Sequence, residues 1–419
     1  MSVIDKITYR RLACGCIRTP LHPPTQRRAN NRDVMPTIRA FLRKHAPPVD
    51  LRTDNTTSFF QNLFGITRPY HYLDRLSDLR TNTSPGVTYK ALGCKTKQDA
   101  IDRFLPRMRT FAHYIKTSSL KTQPPSRVVV TKAKFTPSGL KQRAICVYPI
   151  EVLAIENMFY AALNDRMPKD WLTTTDDHDL LCGKNSYSLD FSNFDTSVPG
   201  WLVRLGMNII RSLFDFSGYL PRPGFGTRPD KGSRLEKLWS YLVDYMVHTP
   251  LLHNDTIVTK HHGVPSGSMF TNLLDTVISR LIIENCHLEE DCFPLIKTYG
   301  DDCHVAACLY DCDVEWWCSE KLGMKVNVIP PNEHGCLTYC KAECHQGKPY
   351  RSGEWFSNIL ATCQPKHVPD VAFQLMFYSP TFEQRNWLKG IAKCRPRKDP
   401  WLIRFLAKMR EHAVIGLPS

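Results

Sequence analysis

The clearest periodicity in the chain runs over 270–285, where Leu273, Leu274, Val277, Ile278, Leu281 and Ile282 form one apolar stripe at helical spacing. Thr271, Asp275 and Ser279 recur at i, i+4 and i+8 of the same stretch and make a polar row. Trp201, Leu202, Leu205, Ile209 and Leu213 predict another helix, behind Ser197 and Pro199, which suit a helix start. Period two takes over at Tyr187, Leu189 and Phe191, which alternate with Ser188, Asp190 and Ser192. That is a strand with Asp190 near its end, facing away from the apolar side, and Asp195 lies beyond it. The stretch 295–307 reads as a hairpin, two apolar arms around Gly300, Asp301 and Asp302. Gly and Pro punctuate 217–234, a surface loop joining two helices. Basic and apolar residues alternate over 382–412, broken by Pro396 and Pro400, as in a separate helical subdomain.

Composition narrows the class. With 419 residues, 42% hydrophobic and 23% charged, the chain has material for two to four structural units at roughly 100–200 residues each, and neither disorder nor a fibrous architecture fits. No run approaches the roughly 18–20 apolar residues that cross a bilayer, and Met1 to Arg11 contains nothing like a signal peptide, so a soluble, non-secreted protein is expected. The 16 cysteines then read as reduced thiols. Cys336, Cys340, Cys344 and His345 stand at spacings that could hold zinc, but these are not the tight ligand pairings of common zinc modules and read first as a cysteine-rich hairpin. Lys and Arg number 55 against 40 Asp and Glu, a net +15 that points to a polyanionic partner. The first 50 residues, basic and rich in proline, read either as a binding arm or as a solvated tail.

Against that positive background the acidic positions carry the chemistry. Asp190 together with Asp301 and Asp302, on neighbouring strands, supplies hard oxygen ligands that suit Mg²⁺ and its partnership with phosphates. Alone, each segment has an ordinary reading: a helix start for the first, a polar turn for the second. Two ions about 3.5–4 Å apart in such a cluster activate a hydroxyl and stabilise a leaving phosphate oxygen. Gly263, Ser266 and Gly267 form a flexible loop entering the 270–285 helix, open to close backbone approach. Lys121, Arg127, Lys132, Lys134, Lys141 and Arg143 follow one another with no acidic residue between, interleaved with Val128, Val129, Val130 and Ile145. Strands would aim these cations at a triphosphate, whereas a plain charge run would be a solvated face.

Taken together these segments resemble the viral RNA-directed RNA polymerases, in particular those of partitivirus-like and picobirnavirus-like double-stranded RNA viruses. Asp190-Phe191-Ser192-Asn193-Phe194-Asp195 is similar to the first palm motif, Gly263-Val264-Pro265-Ser266-Gly267-Ser268 through Thr271 to the second, and Gly300-Asp301-Asp302 to the third. Thr83-Ser84-Pro85-Gly86 resembles the template-channel motif, and Lys132, Lys134, Lys141 and Arg143, followed by Pro149 and Glu151, the basic fingers motif. Gly347-Lys348-Pro349-Tyr350-Arg351 resembles the hairpin that grips the primer strand. Three positions depart from the pattern. Asp275 stands where many relatives carry Asn, Cys303 where this branch often has Ser, and the fourth-motif segment, 323–331, lacks an obvious lysine at its expected place, with Lys325 a weak substitute candidate.

The resemblance implies an α+β right-hand polymerase, largely helical, with an antiparallel palm sheet: an N-terminal arm and fingers over 1–80, further fingers over 81–150, palm over 151–352 with a fingers insertion around 217–262, and thumb over 353–419. It implies catalytic and metal-binding roles for Asp190, Asp301 and Asp302, with two ions, Mg²⁺ or else Mn²⁺. It implies nucleotide contacts from Lys132, Lys134, Lys141, Arg143, Asp195, Ser266, Gly267, Thr271 and Asp275, and template or primer contacts from Ser84, Pro85, Gly86, Lys348 and Arg351. The partners implied are RNA template and product, ribonucleoside triphosphates and a viral coat protein, in the virion interior and host cytoplasm. Two competing readings are a reverse transcriptase-like enzyme, against which the short polar Asp195 argues, and a non-catalytic RNA-binding or coat protein, which leaves the clustered carboxylates unexplained.

Overall fold

The computed structural model describes residues 26–28, 34–44, 46–79, 81–136, 139–168, 186–221, 228–253, 255–288, 294–306, 313–331, 337–339, 342–345, 348–350, 353–362, 368–376 and 382–392. The chain divides into two compact units, 31–130 with 144–348, and 1–30 with 131–143 and 349–419.

The main elements of the larger unit, in chain order, are α1 (Asp54–Phe64), α2 (Lys97–Lys116), the inner ends of β1 (Ser126–Thr136) and β2 (Gly139–Val147), α3 (Ile150–Asn164), β3 (Tyr187–Phe191), α4 (Gly200–Arg211), α5 (Arg234–Val247), β4 (Pro250–His253), β5 (Thr256–Thr259), α6 (Thr271–Leu288), β6 (Leu295–Tyr299), β7 (Asp302–Ala306) and β8 (Val326–Ile329). Both predicted helices form: α4 starts behind Pro199 at its N-cap, and α6 runs to Leu288, three residues past the end of the 270–285 stretch. The predicted strand stops at Phe191, because Asn193 turns the chain with a φ of +55°. The 217–234 stretch does join α4 to α5, and carries a two-residue ladder of Gly218–Tyr219 with Arg228–Pro229.

Four strands make an antiparallel sheet in the order β8-β3-β7-β6. Helix α6 lies against β6 and α4. Gly206 lets α4 come close: a Cβ there would sit 2.7 Å from a methyl carbon of Leu274 and 2.9 Å from Ile278 Cγ1, so a larger residue forces these packed side chains to shift. Arg280 ties α6 to its surroundings. It pairs with Glu284, donates to the Ile296 carbonyl of β6 at 3.1 Å, and stacks on the Phe59 ring of α1.

Helix α3 is buried on nearly every side, which is why its sequence shows no amphipathic period. Phe159 of α3 meets Trp239 of α5 edge-on at 5.1 Å, and Trp239 meets Phe270, at the mouth of α6, at 5.7 Å. Such edge-to-face pairs add about 0.5–1.5 kcal/mol each beyond the area they bury, and these lock three helices together behind the sheet.

In the smaller unit, α7 (Gly353–Thr362), α8 (Val368–Leu375) and α9 (Phe382–Ala392) share a core of Phe356, Leu360, Ala372, Trp387, Leu388 and Ile391. The helical subdomain expected over 382–412 is thus present to Ala392, and the rest lies outside the described residues. Gln26–Arg28 pairs antiparallel with Lys132–Lys134 of β1, so part of the basic arm is a strand. Among the described residues no helix is long and apolar enough to cross a membrane.

Candidate active site

The register of the four-stranded sheet builds the site. Asp190 on β3 is the direct partner of Asp302 on β7; on their outer flanks Asp190 faces Asn327 of β8 and Asp302 faces Tyr299 of β6. Directly opposed residues project to the same face, so Asn327, Asp190, Asp302 and Tyr299 form one row across the sheet. Strand alternation explains the segregation: Leu189 and Phe191 are buried while Asp190 is exposed. At the end of the row, Gly300 and Asp301 are the two-residue turn between β6 and β7. Gly300 takes a φ of +65° and Asp301 does not take a positive φ, the pattern of a II′ turn, which demands glycine first.

Behind the row, Asp195 and Asp275 share a side-chain hydrogen bond. Burial, then the charges of Asp195 and Asp301, push the Asp275 carboxyl well above its ordinary range. Its Oδ1 is buried without a hydrogen-bond partner. Asp275 therefore sits close to the acidic turn, as the polar row on α6 predicted, while Ser279 of that row reaches the Gly300 carbonyl at 3.0 Å.

The loop leading into α6 is stitched to its neighbours by backbone. Val264 N–H donates to the Asp195 carbonyl and Gly263 N–H to Val198, both at 2.7 Å. Gly263 has a φ of +80°, and a Cβ on it would lie 2.6 Å from the Asp195 carbonyl oxygen. Ser266 Oγ accepts from Cys146 N–H at 3.2 Å, and a Cβ on Gly267 would fall 1.9 Å from the Cys146 oxygen. Only glycine fits at Gly267. The Thr271 hydroxyl, expected at the nucleotide, is donated to the Pro265 and Ser268 carbonyls and closes the loop onto α6.

Two buried charges that sequence reasoning missed hold this loop. Glu156 of α3 accepts from Ser268 Oγ at 2.7 Å and from Met269 N–H at 2.8 Å. Burial pushes its pKa up to about 7, against the lowering effect of those two bonds. Lys260 donates from Nζ to the Gly263 carbonyl at 2.7 Å and to Val247 at 3.1 Å, and burial brings its pKa down to about 7. The available signal was Glu156 itself, a second charge after Glu151 in the mostly apolar run of α3.

Further out, Pro85 accepts from Ile150 N–H at 3.0 Å, and Gly86, at a φ of +96°, leaves no room for a Cβ, 2.7 Å from Pro149 Cα. Ser84 Oγ accepts from Gly86 N–H at 3.4 Å. Ser84, Pro85 and Gly86 thus form a turn braced on the start of α3. Lys325 is exposed, its carbonyl accepting from Ser192 N–H at 2.9 Å, which sets it just beyond the β8–β3 ladder. Lys132, Lys134, Lys141 and Arg143 lie on the β1–β2 strands, but their side chains, like that of Lys348, fall outside the described residues. Arg351, Cys336 and Cys340 lie outside them altogether, as do the side chains of Cys344 and His345.

Hard carboxylate oxygens on one face are the donor set for Mg²⁺. Among the described residues no group of three or more His, Cys, Asp or Glu gathers tightly enough to hold an ion by itself. Mg²⁺ usually takes one or two carboxylates and completes its octahedron with water and substrate phosphates, so the opposed pair Asp190 and Asp302 fits that mode better than a closed protein cage.

Residues 43–314 match the family model described as viral RNA-dependent RNA polymerase. The RNA-directed RNA polymerase of Cryptosporidium parvum virus 1 (strain KSU-1) is 27% identical over 242 residues, covering 54% of this chain and 43% of that relative. The chain thus matches less than half the length of that relative. Among solved structures, an RNA-dependent RNA polymerase of a human picobirnavirus aligns with a TM-score of 0.61 and 15% identity over 91% of this chain and 78% of its own. The Sicinivirus 3Dpol RNA-dependent RNA polymerase aligns at 0.64 and 16% over 92% and 93%. At these identities the structural matches establish a shared right-hand fold.

Proposed function

The chain belongs to the viral RNA-dependent RNA polymerase family, and from that premise we propose that it copies RNA by transferring nucleotides from ribonucleoside triphosphates to a 3′-hydroxyl. The observation that carries this reading is the cross-strand pairing of Asp190 with Asp302 beside the Gly300–Asp301 turn. Asp190, Asp301 and Asp302 would hold Mg²⁺ or Mn²⁺, two such ions supplying activation of the attacking hydroxyl and neutralisation of the departing pyrophosphate. The chain's own residues do the orienting. Asp195 and Asp275 are assigned to the ribose hydroxyls, and the buried Asp275 Oδ1, left without a partner, supports that role as an acceptor. Ser266 and Gly267, fixed on β2, give the template and nucleotide a rigid loop, and the Ser84–Gly86 turn is assigned to the template strand. The roles that the resemblance gives to Lys132, Lys134, Lys141, Arg143, Thr271, Lys348 and Arg351 belong to the same proposal, as do the fingers, palm and thumb boundaries. RNA, ribonucleoside triphosphates and a coat protein are the proposed partners, in the virion interior and host cytoplasm.

The test is incorporation of labelled ribonucleotide on primed and unprimed single-stranded RNA with Mg²⁺, with deoxynucleotides as competitors. Asp301→Asn should lower synthesis at least about a thousandfold, the scale on which lost electrostatic stabilisation of a transition state shows. Folding and RNA binding should survive. Full activity in the variant, or equal use of deoxynucleotides by the parent, would reject the assignment.

A further inference from the structure

The turn that carries Asp301 and Asp302 is held from behind by hydroxyls of α6. Thr276 Oγ1 donates to the Asn272 carbonyl at 2.6 Å, so its only proton is engaged and it meets Gly300 N–H, at 2.8 Å, as an acceptor. Ser279, one turn along, donates from Oγ to the Gly300 carbonyl at 3.0 Å. Thr298 on β6 donates back to the Thr276 carbonyl at 3.3 Å, and Cys303 Sγ lies 3.6 Å from the Asp301 carbonyl. Thr276 and Ser279 are both fully buried and stand three residues apart, on one face of the helix. Both backbone groups of Gly300, which takes a φ of +65° in the turn, are therefore satisfied by side chains from α6.

We propose that Thr276 and Ser279 are positioning residues of the metal turn, setting where the Asp301 and Asp302 carboxylates stand relative to Asp190. The inference rests on the polymerase reading only for the identity of the reaction; the brace itself makes a claim about metal binding. Outer partners that orient a metal's ligands typically change affinity or activity by about 10–100-fold when removed. Thr276→Val keeps shape and loses the acceptor, Ser279→Ala loses the donor, and Thr276→Ser restores the acceptor. Ser126→Ala is the control, since its buried hydroxyl meets Tyr245 far along the chain from the turn.

Binding of Mn²⁺ alone to each purified protein, followed by electron paramagnetic resonance, is the first readout. Thr276→Val and Ser279→Ala should weaken it about 10–100-fold and raise the Mg²⁺ concentration needed for half-maximal incorporation, with KM for nucleotide nearly unchanged. Thr276→Ser should be near the parent, and Ser126→Ala should lower the melting temperature without touching Mn²⁺ affinity. Should Thr276→Val fail to fold, Ser279→Ala carries the decision. Parental Mn²⁺ affinity in both variants overturns the proposal even if the parent makes RNA. Weakened Mn²⁺ in the variants of a parent that incorporates no nucleotide keeps the brace and rejects the polymerase reading instead.

Discussion

Replacing Glu156 with Gln should change the way stability depends on pH, and the sign follows from the site. Glu156 is fully buried, and its carboxyl is pushed from an ordinary 4.5 up to about 7. A carboxyl raised on folding contributes stability that is complete below 4.5 and is lost as pH climbs through 7, because the folded chain then holds a buried charge. At about 1.4 kcal/mol per tenfold, that interval amounts to about 3 kcal/mol. In Glu156→Gln the amide oxygen can accept from Met269 N–H, and the amide N–H can donate to Ser268 Oγ, which already accepts from Phe270 N–H at 3.1 Å. Only the Ser268 proton loses its partner, a cost of about 1 kcal/mol. The variant should therefore melt slightly below the parent at pH 5 and above it at pH 8.5, with a swing of about 3 kcal/mol between. Glu151, also raised to about 7 by burial, is present in both proteins and cancels in the difference. Thermal melts in matched buffers from pH 5 to 8.5 decide the matter, and parallel curves for parent and variant would refute the argument.

Gly267→Ala should abolish RNA synthesis, because its new methyl would have to occupy space 1.9 Å from the Cys146 carbonyl oxygen and must displace Ser266. A melting temperature within a degree of the parent and full activity would show that the loop yields. Lys260→Met should cost about 1–3 kcal/mol, since it strips donors from the buried Gly263 and Val247 carbonyls. The pKa of Lys260 is lowered on folding to about 7, so the unfolded chain binds the extra proton between 7 and 10.5 and the parent gains stability as pH rises there. That gain should vanish in the methionine variant, as seen in urea midpoints at pH 7 and 9.5.

What was legible in the sequence was periodicity and chemistry at single positions, and what escaped was pairing. Alternation at Tyr187, Leu189 and Phe191 placed Asp190 on the open face, but a strand's pattern names a face and never a partner. Opposing Asp190 to Asp302 takes the register between strands more than 100 residues apart, and a second strand register brings in Asn327, a residue of the 323–331 segment that was given no role of its own. Helix α3 was missed for the converse reason: an element apolar all round has no period to detect. One of its polar interruptions, Glu156, answers to hydroxyl and backbone groups 112 and 113 positions away. Thr276 is hidden in the same way. The helical stripe shows that it lies on α6, yet its function is defined by Gly300 N–H, 24 residues downstream. Motif residues in this chain can be read from the sequence as a set, whereas the residues that hold them are chosen by the backbone groups they satisfy. A buried backbone N–H or C=O must find a partner, so the fold dictates a polar side chain at those places whatever the local pattern prefers.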